Sequence, residues 1–235
     1  MTEPETPTTD HAVGEPLAGE PSAGEPSAGE PSAGEPSAMP TSRLETFSDG
    51  VFAIAATLLI LDVHAAGSGR LGTTLLHSWP SYAAYAVSFV TIGIIWINHH
   101  TVFAQIERVN HVFLIVNVVF LMLVAFIPFP TALVASHLRG GGLQAAALVY
   151  GANLTSTAVC FNGLWFYASR HGRLLRADAN RRVVSGISRS YLPGPVIYLV
   201  ATLVALASPQ AAVAMFAAIT LFYVLESSLF GRSGS

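Results

Sequence analysis

Apolar runs long enough to cross a lipid bilayer recur along this chain from residue 44 onward, and short polar breaks divide them. A hydrocarbon core of ~30 Å takes about 20 helical residues at a rise of about 1.5 Å each. In lipid every backbone N–H and C=O must be satisfied within the segment, so runs of this kind are helices. The pattern predicts six transmembrane helices, at 44–63, 80–104, 111–136, 143–168, 191–208 and 210–228. Pro128 and Pro130 near the end of the third predict a kink or break there. Ser208, Pro209 and Gln210 leave only a tight turn between the last two, as in an antiparallel helical hairpin. The expected fold class is all-α, a polytopic membrane protein with six transmembrane helices per subunit. Such a chain has no room for a soluble catalytic domain, so no enzyme is expected. Composition agrees, because only 11% of the 235 residues are charged and 52% are hydrophobic. A soluble domain carries about 25% charged residues. The single cysteine excludes a disulfide framework and a cysteine-built zinc site.

The N-terminal part is a different kind of polymer. From Gly14 to Ala38 the motif Gly-Glu-Pro-Ser-Ala repeats, with Leu17 as the one variant. Proline at every fifth position prevents a helix, and no large apolar residue recurs to fill a core. Glu3, Glu5, Asp10, Glu15, Glu20, Glu25, Glu30 and Glu35 face no basic residue in this segment. It lacks the positive start and apolar run of a signal peptide. The domain reading is a disordered acidic tail at 1–41, a six-helix transmembrane domain at 42–230 and a short C-terminal tail at 231–235. The repeat is read first as a passenger, with a cation-attracting or partner-binding tether as the rival.

Orientation follows from arginine, since the chain has no lysine. Arg43, Arg108, Arg170, Arg173, Arg176, Arg181, Arg182, Arg189 and Arg232 fall on one side of the predicted topology, and only Arg70 and Arg139 on the other. The positive-inside rule then puts both termini in the cytoplasm, and the expected location is the cell membrane. The arginine cluster between the fourth and fifth spans has a second use open to it, the binding of anionic lipid headgroups.

An ionisable residue inside a span is a functional candidate by default, and the first span carries Asp49 near its cytoplasmic end. At about 100° per residue, Ile54, Leu58 and Leu61 share one stripe, flanked by Thr57 and Val51. Asp49 lies about 140° from Ile54, on another face. The topology brings Arg43, Ser48, Asp49, Trp96, Asn98, His99, His100 and Asn117 to one depth, where an interhelical hydrogen-bond network is expected. Adjacent histidines on a helix point about 100° apart, and no third ligand has metal-site spacing, so no metal and no cofactor is expected. Two further readings remain: a proton-coupled transporter using Asp49 with His99 and His100, and a membrane hydrolase, for which no nucleophile motif is present. Cys160 reads as packing.

The run Arg43-x-x-x-Phe47-Ser48-Asp49-Gly50 at the start of a first span resembles the signature of the TMEM175 potassium-channel family in its six-helix prokaryotic form. The resemblance continues through Trp96-x-x-His99-His100 and the stretch Ala125 to Thr131, and covers about residues 42–230. It implies a homotetramer whose pore is lined by the first helix, with potassium as the permeant ion and no conventional filter loop. The chain contains no Thr-Val-Gly-Tyr-Gly run, which agrees. The implied partners are further copies of the chain, the bilayer and potassium ions, with no nucleic acid. The implied hydrophobic constriction falls on Ile54, with Leu58 and Leu61 as further apolar layers and Thr57 as the selectivity candidate. Arg43, Phe47, Ser48 and Asp49 are then structural, holding the first helix against its neighbours. Asp62 is a candidate for a ring of charge at the outer mouth, or an interfacial carboxylate facing water.

Overall fold

The computed structural model describes residues 41–63, 70–170, 174–179 and 181–230. The acidic repeat, Arg173 and Arg232 lie outside the described residues. Helix α1 runs from Thr41 to Leu58, starting earlier than the expected residue 44, and tightens into one 3-10 turn at Leu59–Asp62. A short helix that hydropathy did not predict, α2 (Leu71–His77), precedes α3 (Trp79–Phe103). Pro80 suits the start of α3, because the amide it lacks has no partner within a first turn.

The third span is α4 (His111–Phe126) followed by α5 (Pro128–His137). Asn110 caps α4, its Oδ1 accepting the Phe113 N–H at 2.9 Å. The expected break falls at Ile127, whose N–H turns to Val124 O at 3.1 Å ahead of Pro128, which has no N–H to donate. Helix α6 (Leu143–Ser169) begins after Gly142, whose φ of +94° is left-handed. A Cβ there would also meet the His137 ring. The fifth span is divided: α7 (Arg181–Tyr191) is followed by Leu192-Pro193 and then α8 (Gly194–Val204), and α9 (Pro209–Phe230) completes the described chain.

Four stretches of the described residues are long and apolar enough to cross a membrane: Thr41–Asp62, Trp79–Phe103, His111–His137 and Arg182–Val204. Helix α9 carries a shorter apolar stretch, Pro209–Leu225. Helix α6, at 27 residues, is long enough but more polar. It tolerates Asn153, Thr155 and Thr157 because it sits in the middle of the bundle, packed against α4, α5, α8 and α9. Asn153 Nδ2 donates to Leu123 O at 3.3 Å, and the Thr155 and Thr202 hydroxyls meet at 3.3 Å. Gly151 lets α8 and α9 close on α6, since a Cβ there would overlap Thr202 and Phe216. The protein is thus an all-α polytopic membrane protein. Its regular β structure among the described residues is one isolated bridge, Ile106 to Leu175.

Candidate functional site

Helix α1 lies against α3, α4 and α5 and has two chemically distinct faces. The inner face is Leu44, Ser48, Phe52, Ala55 and Leu59, all buried. This spacing keeps one stripe turned to the bundle. Phe52 reaches an aromatic line in which the His99 ring stacks on Phe103 (centroids 4.1 Å) and lies parallel to Phe120 (5.6 Å).

A polar chain runs through this core. His99 Nε2 lies 3.0 Å from Asn117 Oδ1, and a carbonyl oxygen only accepts, so Nε2 carries the proton. Asn117 Nδ2 donates to Ser48 Oγ at 3.2 Å, and Ser48 Oγ donates to Leu44 O at 2.8 Å. Ser48, His99 and Asn117 are buried, and each bond offsets the cost of removing those groups from water. The chain ties α1 to α3 and α4.

Asp49 belongs to a second contact. Its Oδ1 accepts the Trp96 indole N–H at 2.8 Å, on the exposed side of α1 and α3. The Trp96 ring in turn neighbours His100, with centroids 6.2 Å apart. The expected single network is therefore two. Asp49 does not face the interior opposite the apolar stripe; both stand on the uncovered part of α1, at its two flanks. Asn98 departs from the group as well, because its Oδ1 accepts the Tyr191 hydroxyl at 3.3 Å. Arg43 and Phe47 are exposed and line a hollow between α1 and α4 with His111, Leu114 and Val118. Among the described residues, no hydrogen bond links Asp49 to His99 or His100.

The outer face of α1 is uncovered in the subunit. Ile54 is 61%, Leu58 41% and Leu61 64% exposed, and Gly50, Ala53 and Thr57 are exposed as well. The Thr57 hydroxyl donates to Ile54 O at 2.9 Å, which leaves its oxygen free to accept or to solvate a cation. Asp62 is turned away from this stripe. It is half-buried in a hollow that it shares with His77, Ser81 and Arg139.

A further buried polar cluster escaped sequence reasoning. Thr131 Oγ1 donates to Ser88 Oγ at 2.8 Å, Ser88 meets the Tyr150 hydroxyl at 3.2 Å, and Thr91 meets Thr220 at 2.8 Å. Hydroxyl residues inside apolar runs were the available signal. Their pairing joins α3 to α5, α6 and α9 without reference to α1.

Comparison with known proteins adds independent findings. The family described as endosomal/lysosomal potassium channel TMEM175 matches residues 43–128. A protein of Chamaesiphon minutus named as a potassium channel is 40% identical over 193 residues, covering 80% of this chain and 95% of that one. A Streptomyces collinus protein, also named as a potassium channel, is 48% identical over 145 residues, or 59% of this chain and 70% of its own. Among solved structures, a lysosomal potassium-selective channel TMEM175 homolog from Chamaesiphon minutus superposes with a TM-score of 0.73 at 38% identity. It covers 80% of this chain and 97% of that one.

Proposed function

The chain belongs to the TMEM175 family, and from that premise we propose that it is a potassium-permeable channel, a homotetramer with α1 of each subunit around a central conduit. Ile54 forms the narrow neck, Leu58 and Leu61 form apolar layers beyond it, and Thr57 supplies hydroxyl oxygens beside it. At an apolar neck a hydrated cation sheds part of its shell, and potassium loses water at lower cost than sodium. Apolar constrictions also gate by drying. A ring without charged or carbonyl ligands discriminates weakly, so the selectivity is modest.

One observation carries this reading. The face of α1 with Ile54, Thr57, Leu58 and Leu61 is uncovered in the subunit, while the opposite face is buried and pinned through Ser48. Ser48, Asp49, Trp96, His99 and Asn117 act as supports that set the angle of α1 and do not touch the ion. Asp62, half-buried in a hollow lined also by Arg139, stays the candidate for charge at the outer mouth. The arginine bias supports an orientation with both termini in the cytoplasm.

Recording from the purified protein in planar bilayers tests the assignment. A channel gives unitary current steps carried by potassium. Ion movement without unitary steps, driven by a proton gradient and lost with His99, would instead establish a carrier. Native mass spectrometry of the same preparation reads the subunit number, for which four is expected.

A further inference from the structure

The α6–α7 connection carries chemistry that conduction leaves unused. Helix α7 is strongly two-faced: Ile187 is buried and Val184 packs against the core, while Arg182, Ser185 and Arg189 are exposed. Trp165 Nε1 fastens α7 to α6 by donating to Ser188 Oγ at 2.8 Å. The connector is held from the other side, because Glu107 N donates to Leu174 O at 2.8 Å and Arg176 N to Gln105 O at 3.0 Å. These elements border a wide, open hollow of about 800 Å³, lined by Arg176, Ser185, Ser188 and Arg189, with Leu175 and Leu192 also on its wall.

Charge and position narrow the occupant. Arg176 pairs with Asp178 through Nε (3.2 Å), and both side chains are largely exposed, so the pair is weak. The Arg176 Nη groups and the Arg189 guanidinium make no ion pair among the described residues. Arg176 and Arg189 both precede the apolar helix α8 (Gly194–Val204), on the arginine-rich side of the chain's topology. Leu192, 72% exposed, lies between Arg189 and the start of α8. Two exposed arginines on that side, with an exposed leucine between them and the apolar helix, suit a phosphate with a hydrocarbon tail.

We propose that this hollow binds the phosphate headgroup of an anionic phospholipid, with Arg176 and Arg189 on the phosphate and Leu192 against the acyl chain. It is a lipid site on each subunit, distinct from α1, and it does not depend on which ion the pore passes. The two guanidiniums offer fork-shaped donors that match phosphate oxygens.

The test is native mass spectrometry of the full-length protein, titrated with phosphatidylglycerol or phosphatidylcholine in detergent. Phosphatidylglycerol is expected to bind with a preference that R176Q/R189Q reduces on the order of tenfold. R176K/R189K, which keeps the charge but loses the fork-shaped donors, should fall between the wild type and R176Q/R189Q, and R70Q on the opposite side should leave the preference unchanged. Should R176Q/R189Q fail to assemble, the single variants R176Q and R189Q are each expected to lose several-fold. An unchanged preference in the double variant, or in both single variants, would overturn the site, as would equal binding of phosphatidylcholine. Displacement of phosphatidylglycerol by equimolar inorganic phosphate would overturn the lipid assignment in favour of a free-phosphate site.

Discussion

Trp96 Nε1 donates to Asp49 Oδ1 at 2.8 Å, while Ser48, the residue before Asp49, turns into the core and accepts from Asn117. Successive residues of α1 therefore grip two different neighbours. Ser48 reaches α4 from inside the bundle, and Asp49 reaches α3 along its edge. Together they fix both the tilt and the rotation of the helix that presents Ile54.

Because the Asp49–Trp96 bond is charge-assisted, Asp49→Ala is expected to cost about 1–2 kcal/mol. Trp96→Phe keeps a ring and loses only the donor, so its cost is smaller. Thermal unfolding followed by size-exclusion chromatography checks both. The assemblies that survive should keep the wild-type ion preference. Normal stability with altered selectivity would move Asp49 from support to ion path.

Asn117→Leu strands the buried His99 Nε2–H and removes the bond that Ser48 Oγ accepts, while the Ser48 hydroxyl keeps its bond to Leu44 O. The expected loss is roughly 1–3 kcal/mol, chiefly from the unsatisfied His99 N–H. In the background His99→Phe, Asn117→Leu should cost less, since one stranded donor is already gone. A double-mutant cycle on melting temperature reads the coupling. Strict additivity would mean that the bond contributes nothing.

Gly151 tests the packing of the bundle away from α1. A methyl there overlaps Thr202 and Phe216, so Gly151→Ala should destabilise by about 1–3 kcal/mol. Pairing it with Thr202→Ala should recover part of the loss, as measured by thermal unfolding. No recovery would place the strain elsewhere.

The first three spans were legible because a crossing helix needs about 20 apolar residues in a row, a signal that survives without knowledge of packing. The break at Ile127 was legible for a similar reason, since Pro128 removes a donor wherever it sits. Helix α7 was not legible that way. Its apolar residues Val184, Ile187 and Tyr191 recur on one side only, and its arginines lower any average taken along the run. Helix α2 is too short to register, and its Leu71, Leu75 and Leu76 are exposed. At the candidate site, shared depth was legible and partner choice was not. Neighbours on a helix diverge by about 100°, so His99 meets Asn117 while Asn98 turns to Tyr191. The same divergence separates Ser48 from Asp49. Depth follows from counting along a helix, whereas partner choice depends on which neighbour lies on each side.

The claim that α1 lines the conduit, with Ile54 at its neck, is tested most directly by a reversal potential. Purified wild-type protein and Ile54→Asn are recorded in bilayers under opposed potassium and sodium gradients. The wild type should reverse on the potassium side of zero. Ile54→Asn should wet the neck, raise conductance and move the reversal toward zero as sodium enters. A variant with the wild-type reversal potential and the wild-type conductance would contradict the placement of Ile54 at the constriction.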